Sequence, residues 1–231
     1  MGPDATTAIF VPADGVPTRG VLICGHGAGG HLGDRSILKA AQAMQDAGLG
    51  VVRFNFLYRE KKSGRPDPMP RLMETVAAVA EHARQELGSG PMFLGGRSMG
   101  GRAASMLAAD GFVTDGLILL AYPLHPPGRP EKMRDAHLPA IRVPVLCLTG
   151  TRDEFCQPEL MEPVLRRLPQ TWTMHWIEGA DHSFHVLKKS GRTDPEVMTE
   201  VTDATREWLA TMGPVTNHQS PVTSHKPTDH R

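Results

Sequence analysis

The sequence predicts an α/β domain built on a mostly parallel sheet of about seven strands, with helices on both faces. Two observations predict it. Short apolar runs alternate along the chain with longer stretches of helical spacing, and the runs are apolar throughout rather than at every second residue. Strands of that composition are covered on both faces, which implies a parallel sheet with crossover helices. The runs fall at residues 21–24, 50–56, 92–95, 117–121 and 145–148, and residues 172–177 read as a further strand. Residues 8–11 read as an antiparallel edge strand.

Helices are predicted at residues 36–47, 72–87, 99–109, 159–168 and 194–212. In the second of these, Leu72, Val76, Val79, Ala80, Ala83 and Leu87 follow the three-and-four spacing of one buried face. Asp194 is positioned to cap the last helix, Pro195 suits its first turn, and Gly213-Pro214 stops it. Residues 59–70, charged and Pro-rich, read as a surface loop. The link at 122–142 is short and Pro-rich and leaves little room for a lid. The expected organisation is a single domain over residues 1–213. Residues 214–231 follow as a polar, disordered tail, with nothing from which to build a core.

Composition narrows the function. The 231 residues carry a formal net charge of zero, so the clustered basic surface of a nucleic-acid binder is not expected. No 18-residue apolar run exists to cross a membrane, and residues 1–7 lack the pattern of a signal peptide. Cys24, Cys147 and Cys156 form an odd set without metal-type spacing and read as small core residues. A cytoplasmic setting is the default expectation.

The strongest chemical signal is Gly96-Arg97-Ser98-Met99-Gly100, followed by Gly101. It matches G-x-S-x-G, with a predicted strand before it and a helix after it, as a sharp serine-bearing turn requires. A serine hydroxyl is a poor nucleophile until a base accepts its proton and an acid orients that base. Downstream, Leu148-Thr-Gly-Thr-Arg-Asp153 places an acid past one strand end, and Ile177-Glu-Gly-Ala-Asp-His182 places a histidine past the next. Strand ends of a parallel sheet share one edge, so Ser98, Asp153 and His182 are candidate catalytic residues that can converge. Glu154 is the alternative acid and His185 the alternative base.

Gly25-His26-Gly27-Ala28-Gly29-Gly30 follows the first parallel strand. In an acyl-transfer site this loop supplies one oxyanion N–H, here that of Ala28, and the residue after the serine, Met99, supplies the other. The same stretch also satisfies G-x-G-x-x-G. A dinucleotide site would need an acid at the end of the next strand, however, and Val51-Val-Arg-Phe-Asn-Phe56 has none. His182-Ser-Phe-His185 lacks the further ligands that a metal requires, so neither cofactor nor metal is expected. His26, Arg59, Tyr122, His125 and Arg152 are candidates for substrate contacts at the same edge, the guanidiniums suiting a carboxylate.

Together these motifs, with Ala121-Tyr-Pro-Leu-His-Pro-Pro127 and Ser190-Gly-Arg-Thr193, make residues 21–209 resemble the compact, lidless α/β hydrolases. That group is related to dienelactone-hydrolase-like enzymes and to a branch holding a testis-expressed protein and a chromatin-complex subunit. The resemblance implies an α/β-hydrolase fold with its catalytic trio at Ser98, Asp153 and His182. Where the dienelactone type has cysteine at the elbow, this chain has serine. The expected activity is hydrolysis of a small ester or thioester. The alternatives are an acyltransferase with the same trio and a catalytically idle interaction protein.

Overall fold

The computed structural model describes residues 5–14 and 18–213. The predicted tail at 214–231 lies outside the described residues. Strands β1 (Ala8–Val11), β2 (Val21–Gly25), β3 (Gly50–Phe54), β4 (Met92–Arg97), β5 (Gly116–Leu120), β6 (Val145–Gly150) and β7 (Trp172–Ile177) form one sheet in the order β1-β3-β2-β4-β5-β6-β7. Only β1 is antiparallel, paired with β3 from Ala8 opposite Phe54 to Val11 opposite Val51. The other pairs are parallel.

Side chains alternate across a pleated sheet, so an apolar run feeds two cores at once. Ile23, Leu94, Leu117, Leu119 and Cys147 pack on one face against α3 (Met69–Leu87), α4 (Met99–Ala109) and α5 (Pro158–Leu165). Leu22, Cys24, Phe93, Ile118, Leu120 and Leu148 pack on the other against α1 (Arg35–Asp46) and α6 (Asp194–Thr211). The three cysteines are free and buried, and burial pushes the Cys24 and Cys147 thiols up to about 12. At neutral pH they are inert core residues. Among the described residues no helix is long and apolar enough to cross a membrane.

Three expectations are corrected. The 59–70 segment is not wholly surface loop: a one-turn helix, α2 (Leu57–Glu60), buries Tyr58, whose backbone N–H donates to Asp67 at 2.9 Å. Helix α3 begins at Met69 rather than Leu72, because Pro70 falls in the first turn, where its missing N–H costs no bond. The cap of α6 is Thr193, not Asp194. The Thr193 side chain accepts from the Glu196 N–H while the Glu196 carboxylate accepts from the Thr193 N–H, a reciprocal capping box. Asp194 instead accepts from the Val186 N–H and pairs with His185. Thr193→Ala is therefore expected to cost about 1 kcal/mol. For a domain of this size that lowers Tm by roughly 2–4 °C, which calorimetry would detect; an unchanged Tm would refute the cap.

Candidate active site

The chain leaves β2 toward β3 on one side and then crosses to β4 on the other. The crevice between the C-terminal ends of β2 and β4 is thus the topological switch point, where ligands of such sheets bind. Loops from four parallel strands meet there: the one after β2, the turn after β4, and the loops after β6 and β7.

Ser98 sits between β4 and α4 at φ 51° and ψ −113°, a conformation that costs a non-glycine residue of order 1–3 kcal/mol. Its N–H is held by the Leu120 carbonyl at 2.9 Å. The turn leaves no room beside it: a Cβ on Gly96, itself at φ 129°, would lie 2.2 Å from the Gly25 oxygen of β2. These contacts explain the glycines of the motif and hold the serine side chain at the edge of the sheet.

Ser98, His182 and Asp153 form one hydrogen-bonded chain. His182 Nε2 lies 3.0 Å from Ser98 Oγ, and His182 Nδ1 lies 2.9 and 2.8 Å from the two Asp153 oxygens. An ionised carboxylate only accepts, so Nδ1 carries the proton and the Nε2 lone pair faces the serine hydroxyl. Asp153 is 1% exposed and also accepts from the Phe155 N–H at 2.8 Å, which fixes the carboxylate plane. The Phe155 ring meets the His182 ring edge-on at 4.5 Å. Helix α5 starts at Pro158, beyond Asp153, so the acid is free of any capping role. The alternatives separate cleanly. Glu154 is exposed, and His185 turns outward to Asp194.

Beside the serine lies a cavity of about 480 Å³ lined in part by Ala28, Ser98, Met99 and His182. Met99 is the first residue of α4, so its N–H has no partner within the helix. Of the five candidate substrate contacts, none lines this cavity. The His26 ring is buried, with Nδ1 2.8 Å from the Gly27 carbonyl and Nε2 accepting from the Phe56 N–H at 3.2 Å. Burial holds its pKa below the usual histidine value, so a neutral ring ties the Ala28 loop to the end of β3. Tyr122 is buried and donates its hydroxyl to the Arg134 carbonyl at 2.7 Å. His125 is buried against the Pro126 carbonyl. Arg59 donates to Ser63, and Arg152, exposed, donates to Gly179. Position at a strand end does not settle side-chain direction, and these five turn away.

Other residues occupy the walls, among them Asp67, Met69, Arg97, Arg102 and Arg134. Arg97, within the serine motif, donates to the His182 carbonyl at 2.6 Å and so ties the His182 loop to the end of β4. Its position beside Ser98 was a signal already present in the chain. The 122–142 link carries no helical lid, but through Pro123, Pro127 and Arg134 it forms one wall.

The same link is tied down by His137, whose Nε2 lies 2.9 Å from Ser105 Oγ on α4. Burial, helped by the Arg102 charge, lowers the His137 pKa from 6.5 to about 4. The sign follows directly. Between pH 6.5 and about 4 the unfolded chain binds a proton that the folded protein does not, so stability falls as pH drops through that window. In urea melts from pH 7 to 4, His137→Gln is expected to lose part of this acid slope. An identical slope in both proteins would refute the assignment.

The sheet order, the strained serine turn and the Ser–His–Asp chain together define an α/β hydrolase. The chain belongs to the alpha/beta hydrolase domain family, whose model matches residues 18–210. Solved structures share the fold. An alpha-beta serine hydrolase homologue from Coxiella burnetii is 22% identical with a TM-score of 0.70, over 87% of this chain and 90% of that one. A lidless serine hydrolase from Xanthomonas campestris is 24% identical with a TM-score of 0.68, over 88% and 89%. A dienelactone hydrolase from Anabaena variabilis is 19% identical with a TM-score of 0.66, over 89% and 91%.

Proposed function

We propose that the protein is a serine hydrolase that cleaves a small ester or thioester through an acyl-enzyme on Ser98. The observation that carries this reading is the continuous chain from Ser98 Oγ through His182 to buried Asp153 at the mouth of a cavity. His182 takes the serine proton as Oγ attacks the carbonyl, then gives it to the departing alcohol or thiol. Asp153 keeps the imidazole in the required tautomer and stabilises its cationic form. The N–H groups of Ala28 and Met99 receive the oxyanion of the tetrahedral intermediate. Water, activated by His182 in its turn, then releases the acid. A cavity without a helical lid favours short or exposed acyl groups.

A fluorophosphonate probe tests the reading, because it reacts only with an activated serine. Labelling of the wild type and not of Ser98→Ala is the expected result. A folded wild-type protein that stays unlabelled would refute it in favour of a non-catalytic interaction protein. Ester exchange to an added alcohol, exceeding hydrolysis, would reassign the enzyme as an acyltransferase.

A further inference from the structure

Two guanidiniums of the cavity beside Ser98 have no ion-pair partner among the described residues. Arg102 stands in the first turn of α4, its N–H donating to the Ser98 carbonyl at 2.9 Å, and both residues line the cavity. Its Nε is buried and has no hydrogen-bond partner. Arg134 comes from the 122–142 link, and its backbone is clamped on both sides. Its N–H donates to the Leu124 carbonyl at 2.7 Å, and its own carbonyl accepts from the buried Tyr122 hydroxyl at 2.7 Å. The clamp fixes the backbone and leaves the guanidinium to the cavity, which both arginines line.

Among the described residues neither arginine has a carboxylate partner. The nearby acids are engaged elsewhere: Asp67 accepts from the Tyr58 N–H, and Asp135 pairs with Arg167 at 2.7 Å. The third arginine on the wall, Arg97, is spent on the His182 carbonyl and the Ser183 hydroxyl. Burial, then the charge of Arg102, holds the Arg134 pKa below its usual value, so the two cations are close enough to repel. A half-buried pair of like charges with an orphaned donor is an unfavourable arrangement for the empty protein. An anion between them reverses the sign of each interaction, and the planar forks of two guanidiniums match a carboxylate.

We propose that Arg102 and Arg134 form an anion subsite, and that the natural substrate carries a carboxylate a few bonds from the scissile carbonyl. One helical turn separates Arg102 from Ser98, about 6 Å along the axis, which sets that span. This inference rests on the hydrolase reading and adds the class of substrate to it.

Two matched pairs of esters test it, one for each side of the scissile bond. On the acyl side, the 4-nitrophenyl monoester of adipic acid is compared with 4-nitrophenyl hexanoate. On the alcohol side, 4-acetoxybenzoate is compared with 4-acetoxytoluene. The expected result is a kcat/KM ratio of anionic to neutral ester above ten in one pair. Arg102→Gln and Arg134→Gln should each lower that ratio tenfold or more, with Arg102→Lys retaining part of it. Since neither guanidinium holds another group among the described residues, both Gln variants should melt no lower than wild type. If one fails to fold, the other and Arg102→Lys still carry the comparison. Ser98-dependent turnover with a ratio near one in both pairs overturns the subsite and leaves the hydrolase standing. A ratio unchanged by the Gln variants does the same. If the serine is labelled but none of these esters turns over, protection decides: adipate should slow fluorophosphonate labelling of the wild type and not of Arg102→Gln. Equal rates overturn the proposal. No turnover and no labelling overturn both readings together.

Discussion

Ser98→Ala is expected to lower kcat for a short-chain ester by a factor on the order of 10⁴ or more, with KM nearly unchanged. The magnitude follows from what the substitution removes. Without Oγ there is no acyl-enzyme, and only the oxyanion donors and the binding surface remain to assist direct attack by water. Those remnants sustain a residual rate about 10³–10⁴ above the uncatalysed one in sites of this construction. In the proposed mechanism His182 acts only through Ser98 Oγ, and Asp153 only through His182, so the three losses should not add. Ser98→Ala/His182→Ala should be about as slow as Ser98→Ala alone, whereas independent contributions would multiply. Asp153→Asn should be milder. Its amide leaves the Phe155 N–H an acceptor but permits the wrong imidazole tautomer, with the proton on Nε2. Steady-state kinetics of the three single variants and the double variant, each checked for folding, decide the matter. Multiplicative losses, or a Ser98→Ala enzyme retaining a tenth of wild-type kcat, would rule the hydrogen-bonded chain out as the reacting unit.

The meeting of Ser98, Asp153 and His182 was legible because it depends on topology more than on packing. Each residue follows a strand end, and parallel strands bring their ends to one edge whatever fills the core. Asp153 and His182 stood first in the sequence, but setting Glu154, one residue on, and His185, three residues on, aside depends on side-chain direction in loops, which spacing does not encode. In the structure Asp153 is buried and accepts from the Phe155 N–H, Glu154 is exposed, and His185 pairs with Asp194. The cavity walls were hidden for a different reason. Arg134 shares the cavity with Ser98, its backbone held by Tyr122 and Leu124, a long-range arrangement that no local periodicity encodes. Tyr122 was placed at the functional edge on the same strand-end logic as Asp153. Its ring goes inward, where its hydroxyl positions a cation instead of meeting substrate. Arg102 was within reach of the sequence: a cation four residues after the serine, on an otherwise uncharged helix, is an anomaly that helical spacing alone exposes.

Gly100→Ala is expected to destabilise the fold by about 3 kcal/mol, although local propensity points the other way. In a free helix the change would gain about 1 kcal/mol, since glycine is the poorer helix former. In α4 the new Cβ would lie 2.3 Å from the Gly25 oxygen, 2.4 Å from its carbonyl carbon and 2.8 Å from its Cα. Those are backbone atoms of β2, paired on both sides in the middle of the sheet, so no side chain can swing aside to make room. The helix must move instead, and overpacking of that kind costs about 1–3 kcal/mol or more. The expected drop in Tm is roughly 6–12 °C. Activity should fall further than stability explains, because Gly25 leads directly into the Ala28 loop while Gly100 follows Met99. Pushing these two segments apart separates the two proposed oxyanion donors. Gly90→Ala supplies the control: a Cβ there meets nothing within 4 Å, so stability should hold within about 0.5 kcal/mol. If Gly100→Ala melts with the wild type, the close approach of α4 to β2 is not what holds the serine turn, and the strain at Ser98 must be supported from elsewhere.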